Sequence, residues 1–225
     1  MTNCAILVFA KNAIIESNSK RIVSAASENY TLWTILNKKT VQIAQKSKIP
    51  FFVINEDDQI GTTFGARISN ALQYVFDLGF EKIIAIGNDC PELTAAHLQR
   101  AQSELQTNDF VFGPDFKGGA YLLGISKKHF DPNDFENFNW QSNQLFKTIT
   151  AYYKHNQQSI LPILNDVNDS FSFKKAVYNL SFKSKLKIDL FHFLILAKAI
   201  YHFIESKIRL YTILYLNYRG PPIGV

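Results

Sequence analysis

The residues best suited to chemistry are polar side chains that follow short apolar runs. Lys11 follows Cys4–Phe9, Asn55-Glu56-Asp57-Asp58 follows Phe51–Ile54, and Asn88-Asp89-Cys90-Pro91 follows the run ending at Gly87. Gly113-Pro114-Asp115 and Lys117-Gly118-Gly119 follow Phe110–Phe112. If these runs are parallel strands, their carboxyl ends meet along one sheet edge, where open α/β sheets bind ligands. Cations and backbone N–H groups there suit phosphates, and carboxylates suit hard divalent cations. Asp89 is the leading candidate, because Cys90-Pro91 stops the strand and turns the chain directly after it. A carboxylate fixed at that point is able to hold Mg²⁺ or Mn²⁺ against a nucleotide diphosphate, and equally able to cap a turn. Gly118-Gly119 serves either a close backbone approach to a ligand or a tight hairpin turn. The run Glu56-Asp57-Asp58 reads as a solvated loop, since adjacent side chains diverge. The five histidines show no metal-ligand spacing, and there is no nucleophile elbow, Cys-x-x-Cys pair or P-loop.

Helices must join those strands to bring the candidates to one edge. Leu32, Ile35, Leu36 and Ile43 recur at helical spacing. Thr62 or Thr63 is placed to cap a helix with the stripe Phe64, Ile68, Leu72 and Val75, stopped by Gly79. Thr94 caps another helix carrying Leu98, Ala101 and Leu105, and Ser142 one that runs through Tyr153. Ile83–Ile86, Phe110–Phe112 and Tyr121–Leu123 read as strands, with Ile160–Leu164 as a last strand. This alternation predicts an α/β sandwich with a mainly parallel, Rossmann-like sheet. It is expected to fill residues 1–169, with a helical extension over 170–225.

In that extension Leu190, Leu194, Ala197, Tyr201, Ile204, Ile208, Tyr211 and Tyr215 recur at steps of four and three. Lys187, Lys198, His202, Glu205 and Arg209 leave a narrow polar stripe, too charged to lie inside a bilayer. Packing on the chain's own core, a homodimer interface and a seat on a membrane surface are the open destinations. Composition narrows the rest. The 225 residues are 47% hydrophobic and 19% charged, which supports a sizeable core and excludes disorder. A net charge of +5, scattered along the chain, gives no nucleic-acid footprint but suits a small anionic ligand. Two cysteines cannot build a disulfide framework, and neither a leader peptide nor a transmembrane span is expected, so a reducing cytoplasm is the expected location.

Seven short stretches, in order over residues 4–170, carry a resemblance. They are Leu7-Val8-Phe9-Ala10-Lys11, Gln59 with Gly61, Phe64-Gly65 with Arg67, Ile86 to Thr94, Gly113-Pro114 with Gly118 to Gly124, Trp140-Gln141-Ser142, and Leu161 to Val167. Gly87-Asn88-Asp89-Cys90-Pro91-Glu92-Leu93-Thr94 is the most telling of them. Together they resemble a bacterial family of glycosyltransferase-like proteins related to nucleotide-diphospho-sugar transferases and small nucleotidyltransferases, with a branch associated with arsenosugar biosynthesis. The resemblance implies an A-type glycosyltransferase fold, a nucleoside diphosphate sugar as partner, and Mg²⁺ or Mn²⁺ at Asp89. It implies catalytic roles for Asp89 and Asp166. Lys11 and Arg21 would face the phosphates, and Asp115, Lys117, Gly118, Gly119, Tyr121 and Trp140 would complete the substrate site.

The chain also departs from that pattern. Where the family has a Pro- and Gly-rich loop after its first strand, this sequence reads Ala13 to Ile22 without a glycine. Lys117 stands where the family has an acid, so a divalent ion is expected to bind more weakly, and Asn168 replaces a second acid. Two readings follow: a transferase with an altered donor site, or a protein that kept the fold for binding without turnover. The acceptor-activating base is open among Asp115, Asp166 and Asp169.

Overall fold

The computed structural model describes residues 3–195. Six strands form one sheet in the order β2-β1-β3-β5-β4-β6, with β1 Cys4–Phe9, β2 Phe51–Ile54, β3 Lys82–Ile86, β4 Phe110–Pro114, β5 Ala120–Ser126 and β6 Gln158–Ile160. Five strands share one direction and β5 opposes them, pairing antiparallel with both β3 and β4. The Gly118-Gly119 turn is therefore the hairpin between β4 and β5. The sequence expectation for the last strand was misplaced. Only Gln158–Ile160 pairs with β4, and Leu164 makes a lone bridge to Asp115. Pro162 lacks the N–H that a continuing ladder needs.

Side chains alternate across the sheet. Ala5, Leu7 and Phe9 of β1 pack with α3 (Phe64–Asp77), α5 (Pro132–Asn137) and α6 (Leu145–Tyr152) on one face. Cys4, Ile6 and Val8 pack with α2 (Ala26–Ser47) and α4 (Ala95–Glu104) on the other. That period of two, buried on both sides, is why β1 and β3 read as unbroken apolar runs. Thr63 and Thr94 cap α3 and α4 as expected, each accepting a backbone N–H three residues on. Ser142 does not cap α6; Gln144 holds that position, and the Ser142 hydroxyl accepts from the Gln144 N–H at 3.2 Å in the preceding turn.

The segment expected as a loop after β1 is a short helix, α1 (Ala13–Ser19), capped by the Asn12 side chain on the Ile15 N–H at 3.0 Å. A third apolar cluster joins Ile22, Leu32, Trp33 and Leu36 to Val167, to Phe173 and Val177 of α7 (Ser170–Asn179), and to Leu190 and Phe193 of a helix over 185–195. Lys187, read from the sequence as part of the polar stripe, is buried. Its Nζ donates to the carbonyls of Tyr178 and Leu180 at 2.8 and 2.7 Å, meeting the carbonyls left open where α7 ends. The apolar positions from Ala197 to Tyr215, on which a dimer or membrane role rested, lie outside the described residues. Among the described residues no helix is long and apolar enough to cross a membrane.

Candidate functional site

The carboxyl ends of β1, β3 and β4 and the start of β5 open into a cleft of about 640 Å³. Lys11, Asp89, Asp115, Lys117, Gly119, Tyr121, Trp140 and Asp166 all line it. Gly118 sits just behind, with φ +85°, and its carbonyl accepts the Phe146 N–H at 3.0 Å. Of the ten residues expected at the site, Arg21 alone is turned away. It is exposed and outside the cleft lining, and its neighbour Lys20 is inside.

Asp89 follows β3 and is anchored from several sides. Its backbone carbonyl accepts the Val167 N–H at 2.7 Å, which brings Asp166 alongside it. Lys39 of α2 donates to the Cys90 carbonyl at 2.7 Å and braces the turn from below. Burial pulls the Lys39 ammonium down to about 8, although Cys90, Asp166 and Glu92 act against the shift. Asn88 is buried and donates to Asn37 Oδ1 at 2.5 Å, while Asn37 in turn donates to the Lys11 carbonyl at 3.2 Å. The loops after β1 and β3 are thus tied to α2 and to each other, and Lys11 and Asp89 line the same cleft.

An ion pair in the cleft joins Lys20 Nζ to Asp89 Oδ2 at 2.6 Å. Burial works against the Lys20 charge, but Asp89 and Glu16 outweigh it and hold its pKa above the ordinary lysine value. Glu16, buried in the same wall, has its carboxyl raised by burial and by Asp89, with Lys20 and Lys11 opposing. Asp166 stands out further. Burial raises its pKa well above the usual carboxylate range, the charges of Asp89 and Asp115 add to the shift, and its Oδ1 is buried without a hydrogen-bond partner among the described residues. Arg67 of α3 also lines the cleft, and its Nε is likewise buried and unpartnered among the described residues. One orphaned acceptor and one orphaned donor at the same cleft are costly unless a ligand completes them.

The other expected residues have mainly structural contacts. Asp115 Oδ1 accepts the Lys117 and Gly119 N–H groups at 2.6 and 2.8 Å and shapes the hairpin. Lys117 Nζ is paired with Asp169 Oδ2 at 2.6 Å, and Asp169 is the N-cap of α7, its carboxyl held down to about 2 by that ammonium and by the Ser172 N–H. Tyr121 is buried, its hydroxyl donates to the Pro162 carbonyl at 2.8 Å, and burial pushes its phenol pKa up. Trp140 donates to the Phe135 carbonyl at 2.5 Å and leans on Phe64, with ring centroids 5.5 Å apart, so the two rings wall the far side of the cleft.

A resident divalent cation needs open carboxylate oxygens. Lys20 occupies Asp89 Oδ2, and the hairpin occupies Asp115 Oδ1. Among the described residues no three His, Cys, Asp or Glu side chains converge as a metal-ligand set. As arranged, these side chains do not fit a resident metal ion.

Glu16 and Arg67 were missed as site residues in the sequence. Arg67 lies within one of the resembling stretches without a role there, whereas Lys20 and Arg21 both stand out as candidate charge contacts and the structure brings only Lys20 into the cleft lining.

Comparison with known proteins agrees with this fold. A family model described as an uncharacterized protein conserved in bacteria (DUF2064) matches residues 32–142. No curated protein matches the chain in sequence. The crystal structure of a candidate nucleotide-diphospho-sugar transferase from Desulfovibrio desulfuricans G20 superposes with a TM-score of 0.78 at 22% identity, covering 88% of this chain and 98% of that one. Rv0371C of Mycobacterium tuberculosis H37Rv, in complex with manganese, gives a TM-score of 0.48 at 12% identity over 79% of this chain and 99% of its own. A glycosyltransferase involved in glycosylation of the major capsid of PBCV-1 gives 0.45 at 10% identity, over 85% and 99%. The fold is that of the nucleotide-diphospho-sugar transferases, with a mostly parallel six-stranded sheet.

Proposed function

We propose that the chain binds a nucleoside diphosphate sugar in the strand-end cleft and transfers the sugar, or a nucleotidyl group, to an acceptor. One observation carries this reading: three ammonium groups (Lys11, Lys20, Lys117) and the Arg67 guanidinium line a cleft with Asp89 and Asp166 at the sheet edge where such folds take ligands. Its volume, about 640 Å³, is within the usual range for small-ligand sites. The cations suit the diphosphate, and stabilising its negative charge as it leaves is the main catalytic task in such a transfer. Phe64 and Trp140 offer apolar faces for the base or the sugar.

Of the three carboxylates open as base, Asp166 is favoured. Asp169 is committed to the α7 cap and Lys117, and Asp115 to the hairpin, whereas Asp166 keeps a buried oxygen free. A raised carboxyl pKa in a cleft is what proton transfer near neutral pH calls for. Asp166 accepts the acceptor's proton and Asp89 orients Lys20 toward the phosphates. We read residues 170–195, the described part of the extension expected over 170–225, as a helical addition to the 1–169 unit, supported by the cluster that Phe173 and Val177 form with Trp33 and Leu36.

A thermal-shift screen of UDP, GDP, CDP, ADP and dTDP with their common sugar conjugates tests the reading. A member at about 100-fold saturation should add roughly 2.7 kcal/mol of stability. A flat screen contradicts donor binding. The ion pair on Asp89 favours a second reading, binding without turnover. A conjugate that stabilises the chain and stays intact by phosphorus NMR in the presence of candidate acceptors selects it.

A further inference from the structure

We propose that Lys20 takes the place of a divalent cation in this cleft, so that the diphosphate of the donor is held without a metal ion; this rests on the donor reading above. Lys20 is a built residue rather than a stray surface cation. Its backbone N–H donates to the Glu16 carbonyl at 2.8 Å, and its own carbonyl accepts from Asn29 Nδ2 at 3.0 Å and Trp33 Nε1 at 3.1 Å. Asn29 and Trp33 are themselves fully buried, so the main chain at residue 20 is clamped between α1 and α2. The side chain then passes the Trp33 ring, Nζ lying 5.5 Å from its centroid, and ends on Asp89 Oδ2.

The charge in contact with that ammonium is acidic, Asp89, and Glu16 and Asp166 add attraction. An ammonium has three donor hydrogens, and Asp89 uses one strong contact. The remaining donors are available to phosphate oxygens in the cleft, where Lys11 and Arg67 stand on the same lining. A divalent ion bridging carboxylate and diphosphate performs this same task, linking an acidic side chain to an anionic leaving group. Lys20 performs it with a covalently tethered charge, and to seat a metal at Asp89 the ammonium must first be expelled. The short helix α1 makes this geometry possible, since it ends at Ser19 and delivers residue 20 to the cleft wall. Lys117, expected to be the disruptive cation, is instead neutralised by Asp169.

Isothermal titration with the five nucleoside diphosphates named above, each in EDTA and in excess Mn²⁺, tests the proposal on the wild-type chain and on Lys20→Met and Lys20→Arg. Because the clamp acts through the backbone of residue 20, both variants keep it, and circular dichroism melts check that they fold. The expected result is wild-type affinity that changes less than about threefold between EDTA and Mn²⁺. Lys20→Met should lose at least tenfold in EDTA, and Lys20→Arg should retain most of the affinity. Wild-type binding that requires Mn²⁺, or Lys20→Met that binds as well as wild type in EDTA, overturns the role of Lys20 and leaves the donor reading standing. Absence of binding by the wild type under both conditions overturns both.

Discussion

At the scale of single residues, Asp166 and Lys20 decide how the cleft is charged. Asp166 is a carboxyl whose folded-state pKa is raised, first by burial and then by Asp89 and Asp115. The folded chain therefore binds this proton more tightly than the unfolded chain does. Stability tied to Asp166 is complete below the unfolded carboxylate value and is lost as pH climbs from there through the folded value. Asp166→Asn removes the titration and the repulsion together. Calorimetric melts should show the variant gaining on the wild type as pH rises from 4 to 8, while turnover of any donor falls by at least a hundredfold if Asp166 is the base. A stability difference that stays constant over that range contradicts the buried-acid description. The ion pair Lys117–Asp169 has the opposite sign, because Asp169 is depressed to about 2 and its contribution disappears only in strong acid. Both of its partners are about half exposed, so it adds only about 0–1 kcal/mol.

Elements set where those residues can stand, and here the sequence was legible unevenly. β1 and β3 were plain because both their faces are buried, leaving no polar position to blur the run. Asp89 and Lys11 could be named for the same reason: a strand end that is clear in sequence fixes the residue that follows it. α1 was not readable. Its seven residues expose Ile14 and Ile15 and bury Glu16, the reverse of an amphipathic pattern, and its role comes from tertiary contacts to α2. Without that helix the choice between Lys20 and Arg21 had no basis, since a one-residue change of phase exchanges them. β6 was blurred by its partial exposure, and the opposed direction of β5 followed only once the glycine turn was known to be a hairpin. That turn can be tested. Gly118 has φ +85°, and a Cβ there would come 2.1 Å from the Asn143 carbonyl oxygen. Gly118→Ala combines backbone strain with a backbone clash, for a cost of about 2 kcal/mol or more. A melting temperature lower by roughly 4–8 °C is expected; an unchanged one means the hairpin has another conformation in solution.

For the whole molecule, the cleft wall rests on an apolar layer that supplies none of the cleft lining among the described residues. Trp33 donates to the Lys20 carbonyl and shares a buried cluster with Phe173, Val177, Leu190 and Phe193, so the described segment after residue 169 completes the support of the cleft wall. Phe173 is 1% exposed. Phe173→Ala should cost about 3–5 kcal/mol in urea unfolding with little change in slope. It should also weaken diphosphate binding in EDTA, because the Lys20 clamp loosens with Trp33. Destabilisation without any effect on binding would separate this layer from the site.

An amide NMR titration reads, residue by residue, where the ligand sits. With the nucleoside diphosphate that stabilises the chain best, the amides of Lys11, Lys20, Gly87, Asp89 and Gly119 should shift together along one binding curve. A smaller pocket of about 320 Å³, lined by Asp109, Lys128, His155 and Gln157, should stay silent and serves as the internal control. Shifts concentrated at Asp109, His155 and Gln157, with Asp89 and Gly119 unmoved, would contradict the account.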